Sequence, residues 1–439
     1  MHTIPALTGS RFAGNEETGV RHYFFHPVSL MTTTDDTIIP LDGAYAWRRL
    51  GIALLLSTIG GIGMWSVIVA LPVIQSDFGV DRSDASFPYT ATMMGFAVGN
   101  IIMGKLSDRF GVVVPIVIGG VMLGIGYFVA AQATEMWHFV TAQALLIGML
   151  GSSATFGPLV ADTSHWFHRR RGVAVAIVAS GNYLAGTIWP PILQYGMETI
   201  GWRQTHILIG LGCLVTLVPL AFLLRRRVTF DDSPEPIAAH SAGGVTHAAG
   251  NNLQGMLIVA GFACCVAMSM PQVHMVAYCV DLNYGMARGA EMLALMLGCG
   301  VVSRLASGFI ADAIGGVGTL IVSSVLQCLA LLFYLPFDGL TSLYIVSAFF
   351  GLAQGGLVPS YAIIVREYFP AREAGTRVSL VLTATVVGMA FGGWISGEIF
   401  DLTQSYQAAF MNGIAFNLVN MSIAFWLLMG RRRGRQQTA

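Results

Sequence analysis

Twelve times between residues 50 and 429 the chain runs through about 19 apolar residues, enough to cross a hydrocarbon core ~30 Å thick. The runs fall near 50–72, 87–104, 112–132, 137–161, 172–196 and 205–224. After a polar gap they resume near 254–280, 290–310, 317–336, 341–364, 377–400 and 408–429. Nothing else constrains the fold as tightly. Backbone amides have no water partner in lipid, so each run is expected to be a helix. Composition agrees: 10% of residues are charged, against roughly 25% in soluble domains. Formal net charge is zero, which gives no reason to expect a nucleic-acid partner.

The charges that remain set an orientation. With the N-terminus inside, seventeen basic residues lie on the cytoplasmic side. They are Arg48, Arg49, Lys105, Arg109, Arg169, Arg170, Arg171, Arg225, Arg226, Arg227, Arg366, Arg372, Arg377, Arg431, Arg432, Arg433 and Arg435. The opposite side receives Arg82, Arg203 and Arg288. This is the positive-inside pattern. It predicts two cytoplasmic termini, an even number of spans and a multi-pass membrane protein.

Residues 225–252, RRRVTFDDSPEPIAAHSAGGVTHAAGNN, form the longest polar stretch between runs and read as a cytoplasmic linker. The expected organisation is therefore a disordered tail over 1–46, a six-helix bundle over 47–224, the linker, a second bundle over 253–430 and a basic tail over 431–439. The first 46 residues lack an apolar core of about 7–15 residues, so no cleavable leader is visible. Met31 offers an alternative start.

The two halves repeat each other. GKLSDRFG (residues 104–111) and GFIADAIG (residues 308–315) share Gly-x-x-small-Asp-x-x-Gly at an offset of 204. A second echo relates GPLVADTSHWFHRRRG (157–172) to VPSYAIIVREYFPAREAG (358–375). At the same offset, Arg304 corresponds to Asn100. A position polar in both halves is expected to face the interior of the assembly.

Arg304 stands out on energetic grounds. It lies inside the run GCGVVSRLASGFIAD (298–312), and an arginine at the centre of a span costs about 2.5–3.5 kcal/mol on insertion scales. Eight residues separate it from Asp312, roughly 12 Å of helix. One reading is snorkelling to the interface or structural pairing with another helix. The other is a planar fork facing a central cavity, matched to a carboxylate. A single unpaired charge suits a monoanion.

These residues resemble the major facilitator superfamily, whose loop motif between spans two and three is matched by GKLSDRFG. The resemblance narrows to its monocarboxylate porter family, in the branch of the bacterial oxalate–formate exchangers. Asp42, Gly43 and Trp47 of DGAYAW are similar to the signature before span one. Trp166, Phe167, Arg169 and Arg170 of WFHRRRGVAVAIVASG are similar to the signature at span five. It implies twelve helices in two pseudo-symmetric six-helix bundles and secondary transport of small organic anions, monocarboxylates first. For the loop motif, Gly104, Lys105, Asp108, Arg109 and Gly111, it implies an inner gate in which Asp108 meets the start of span eleven. There are departures. Animal members carry an aspartate where this chain has Gly300, and a lysine in span one that is absent here.

Substrate in such folds binds near the midplane between the repeats. Besides Arg304, the mid-span candidates are Asn182, Tyr183, His274, Tyr278, Gln354 and Tyr361. Each can equally be an interhelical packing residue. His274 is the intramembrane group suited to carrying protons as co-substrate. Membrane lipids and a carboxylate are the expected partners of a monomer. Alternatives are a carrier of dicarboxylates or drugs, or a transporter-like sensor. Enzyme activity is not expected: no catalytic cluster, cofactor loop or metal-ligand spacing is present, and the six cysteines all lie in apolar runs.

Overall fold

The apolar runs are helical throughout, and no strand occurs among the described residues. The computed structural model describes residues 42–167, 170–226, 247–369 and 371–437. The first half contains α1 (Ala44–Phe78), α2 (Arg82–Phe110), α3 (Val113–Ala131), α4 (Met136–Trp166), α5 (Gly172–Ile200) and α6 (Trp202–Phe222). The second opens with α7 (His247–Asp281). The helical stretch Met286–Phe333 follows, with 48 residues, about 72 Å at 1.5 Å per residue. That is twice a bilayer crossing, and the chain turns sharply at Gly315 (φ 79°, ψ 171°). It therefore counts as two helices, α8 (286–314) and α9 (316–333). The last three are α10 (Leu340–Tyr368), α11 (Ala371–Thr403) and α12 (Tyr406–Gln437).

Ten helices among the described residues are long and apolar enough to cross a membrane, with Met286–Phe333 taken as one. The 29-residue α2 is long enough but is less apolar, with Ser86, Pro88, Tyr89, Thr90, Thr92 and Asn100 in its charge-free middle. Dividing the long helix at Gly315 and adding α2 gives twelve. Helices overrun the apolar runs because a polar turn outside the hydrocarbon still closes its backbone hydrogen bonds. Thus α1 begins at Ala44, α7 begins at His247 inside the stretch read as linker, and α12 continues to Gln437 into the basic tail. Residues 1–41 of the tail and 227–246 of the linker lie outside the described residues, as does Arg169.

The internal repeat is visible in backbone angles. Gly111 (φ 81°, ψ 166°) closes the loop motif after α2, and Gly315 closes its counterpart 204 residues later in nearly the same conformation. Only glycine adopts that region at low cost. The hairpins before α2 and α8 use Gly79 (φ 62°) and Asn283 (φ 62°), again 204 apart.

Two further interruptions match. α4 widens to a π-helix over Ala142–Gly151, tightens to a 3-10 turn over Ser152–Thr155 and restarts at Gly157. α10 stops at Gln354 and restarts at Leu357. Gly151 and Gly355 are also 204 apart. Paired mid-span interruptions are where repeat-built carriers place their binding sites.

The halves meet where α2 packs along α11 and α5 along α8. Missing side chains permit the approach. A Cβ at Gly397 would sit 2.9 Å from the Ser83 Cα, and one at Gly186 would sit 2.2 Å from Leu297. The outer surface carries large apolar side chains such as Leu208, Val215, Phe222 and Phe309, as a lipid-facing wall requires.

Candidate functional site

α8 carries Arg304 to the contact with α5. Its guanidinium lies over the Tyr183 ring, 4.5 Å from the ring centre, and Nη1 donates to the Ala179 carbonyl at 3.1 Å. Its Nε is buried without an acceptor. Other arginines drawn into the assembly are paired. Arg49 holds Asp162 through two hydrogen bonds of 2.9 and 2.8 Å, Arg82 holds Asp281, and Arg377 holds Glu373. Among the described residues no carboxylate pairs with Arg304.

The break in α10 packs directly on this turn of α8. A Cβ at Gly355 would stand 2.4 Å from the Arg304 amide nitrogen, so only glycine lets α10 come so close. Gln354, just before the break, is fully buried. Gly300, one turn before Arg304, faces both neighbours: an added Cβ would lie 2.7 Å from two Tyr183 ring carbons and 3.3 Å from Gln354 Nε2. The aspartate found there in animal porters therefore has no room unless Tyr183 moves. Arg304, Tyr183 and Gln354 thus come together around Gly300.

Asn182 lies next to this cluster but faces the other way. Its carbonyl and its side-chain oxygen both accept from Trp65 Nε1, at 3.0 and 3.2 Å. It lines a small cleft with Ser57, Phe96, Ser152 and Thr155, beside the break in α4. Asn100, the counterpart of Arg304, fastens that break by accepting from the Gly157 amide at 3.2 Å.

The other mid-span candidates lie elsewhere. Tyr361 is buried in the second half, its one hydroxyl proton shared between Ala260 O and Asn420 Oδ1, 3.0 and 2.8 Å from the hydroxyl oxygen. His274 Nε2 meets the Gly393 carbonyl at 2.8 Å. Tyr278 packs edge-on against Tyr406, 5.0 Å between ring centres. Both belong to the end of the bundle away from the loop motif.

At the motif end the two signature segments form one unit. The Asp42 amide donates to the Trp166 carbonyl at 3.1 Å, the Arg170 amide donates to the Asp42 carboxylate at 3.4 Å, and Trp47 meets Phe167 edge-on at 5.1 Å. Asp42, at φ 60°, turns the chain into the helix that opens just after Gly43. Lys105, Asp108 and Arg109 are exposed, with the Arg109 guanidinium 5.1 Å over Phe110.

The far end holds a network that reading the sequence missed. Arg82, 6% exposed, grips Asp281 of α7 with Nη2 at 3.1 and 2.9 Å and donates from Nη1 to the Tyr406 hydroxyl at 2.9 Å. The Asp401 carboxylate of α11 caps α2 by accepting from the amides of Arg82 and Ser83 at 3.0 and 2.7 Å. One turn of α2 is thereby tied to α7, α11 and α12. The sole sequence signal is that acidic residues end the runs of α7 and α11.

A profile of the Major Facilitator Superfamily matches residues 53–346 and 292–439. The chain belongs to that superfamily. This facilitator is 26% identical over 395 residues to Monocarboxylate transporter 13 of Bos taurus, spanning 88% of this chain and 90% of that protein. It is 24% identical over 398 residues to the MFS-type transporter opdF of Penicillium oxalicum, 88% and 91% of the two chains. Its fold superposes on the crystal structure of the nucleoside transporter NupG with a TM-score of 0.68, at 12% identity, over 88% of this chain and 99% of that one. The facilitator is thus a multi-pass membrane transporter and not an enzyme. Its resemblance to monocarboxylate transporters extends along nearly the whole chain.

Proposed function

We propose that this facilitator carries small monocarboxylates by alternating access, with Arg304 as the substrate's counter-ion. One observation carries the reading. Arg49, Arg82 and Arg377 each hold a carboxylate, whereas Arg304, far from either end of α8, holds the Ala179 carbonyl and an aromatic face and, among the described residues, no carboxylate. A mid-membrane charge is expensive. A substrate carboxylate bound bidentately would offset that cost. One guanidinium that holds no carboxylate matches one negative charge.

The proposed site is Arg304 with Tyr183 and Gln354, and Asn182 next to it lines the cleft beside the break in α4. It lies between six-helix bundles formed by α1–α6 and α7–α12. Both termini and the loop motif face the cytoplasm of a bacterial-type plasma membrane. Asp108 meets the start of α11 when that side closes, and the Arg82 network shuts the outer side. The carrier works as a monomer, and protons are the candidate co-substrate through His274.

Uptake of labelled lactate, pyruvate, formate and oxalate into proteoliposomes tests the substrate class, with lactamide as the neutral control. The acids with one carboxylate should accumulate and lactamide should not. A protein that inserts correctly yet moves none of the acids would sink the reading.

A further inference from the structure

Gln354 has its orientation set by a second glutamine. Gln272 of α7, itself 2% exposed, donates from Nε2 to Gln354 Oε1 at 2.6 Å. That bond uses the acceptor of the Gln354 amide and turns its donor the other way. Gln354 Nε2 is buried without a partner, beside Gly300 and the Tyr183 ring. Arg304 Nε, one turn along α8, is also buried without an acceptor. Two unsatisfied donors thus share one neighbourhood, and leaving a buried donor unpaired is costly. Adjacent glycines, Gly300 on α8 and Gly355 on α10, hold the two helices close enough to create it.

We propose that Gln354 is a specificity residue that reads the oxygen at carbon 2 of the substrate, and that Gln272 is its positioning residue. The inference rests on the carboxylate reading of Arg304. An arginine fork takes both oxygens of a carboxylate. An additional fixed donor is then useful only to an acceptor just beyond them. With its own oxygen turned to Gln272, the Gln354 amide presents its N–H donors on the other side. A 2-oxo group, which can only accept, fits it best. A 2-hydroxy group fits by accepting. An unsubstituted acid leaves the donor unsatisfied, and buried polar groups left unpaired discriminate strongly against the analogue that lacks the partner.

Pyruvate and propionate have the same carbon number and differ at that oxygen, so their competition in proteoliposomes tests the idea. Wild type should favour pyruvate by roughly tenfold in KM, the worth of one hydrogen bond to a buried donor. Gln354→Met keeps the length and removes the donor. It should raise the pyruvate KM about tenfold relative to that of propionate and so erase the preference. Gln272→Met frees the amide to rotate and should weaken the preference in part. Gln354→Glu should stop both acids by giving Arg304 a resident carboxylate. If wild type carries both acids alike, or Gln354→Met impairs both equally, the role of Gln354 is overturned and the carboxylate reading stands. If wild type carries neither acid, the carboxylate reading falls and this inference with it. A variant that fails to insert leaves the wild-type preference as the deciding measurement.

Discussion

Removing Asp281 should open the end of the bundle away from the loop motif. Arg82 is nearly buried, whereas the Asp281 side chain is 33% exposed. Two unit charges about 4 Å apart attract by ~4 kcal/mol at an effective dielectric near 20. Desolvation of Arg82 and water at Asp281 reduce the net value. Losing one partner of a fully buried pair costs about 3–5 kcal/mol, so a part-exposed pair should contribute about 2 kcal/mol. If the pair exists only with this end shut, Asp281→Ala shifts the balance toward the open state by roughly 30-fold, since 1.4 kcal/mol is tenfold. Asp401 still caps α2 in that variant, so the helix should persist. The reporter is Ser86→Cys, because Ser86 is fully buried and close to where a Cβ at Gly397 would point, 2.9 Å away. An impermeant maleimide should label this cysteine at least tenfold faster in Asp281→Ala than in the parent. Equal rates in both, with the melting temperature retained, would refute the latch.

Gly300→Asp should push Tyr183 aside and pair the new carboxylate with Arg304 one turn away. Uptake of monocarboxylates at neutral pH, where the new carboxyl is ionised beside the guanidinium, should fall at least tenfold; unchanged uptake would contradict the packing around Gly300. Asp108→Asn should loosen closure at the loop-motif end, read as faster labelling of a cysteine placed at Ser107. Gly315→Ala should lower the melting temperature by a few degrees, because a side chain at φ 79° costs about 1–3 kcal/mol.

The helices were legible because lipid leaves no alternative to them. Lengths and apolar runs alone place most of the spans, and the offset of 204 predicts the paired loop motifs before any backbone angle is known. Arg304 was legible because a charge in an apolar run is costly wherever its side chain points. The network at Arg82 was not. Its partners are 199 and 324 positions away in the chain, at Asp281 and Tyr406, and each residue alone reads as an ordinary span-end group. The same limit applies to the polar mid-span residues. Tyr361, His274, Tyr183 and Gln354 are indistinguishable by depth. Only packing separates Tyr361, with its hydroxyl proton taken up inside the second half, from Gln354, with a donor left over. The breaks in α4 and α10 were also missed. Their glycines are numerous along the chain, and the interruptions emerge only where two helices press on each other.

The proposed role of Arg304 is that of the substrate's counter-ion within the membrane. Its most direct test is monocarboxylate uptake by wild type, Arg304→Lys and Arg304→Ala, reconstituted at equal density and checked for fold by melting temperature. Loss of one charge-assisted pair should weaken binding roughly tenfold to hundredfold in Arg304→Ala. Arg304→Lys should recover only part of this, since an ammonium keeps the charge and loses the two-pronged geometry. Wild-type uptake by Arg304→Ala, with Arg304→Lys silent, would contradict the account.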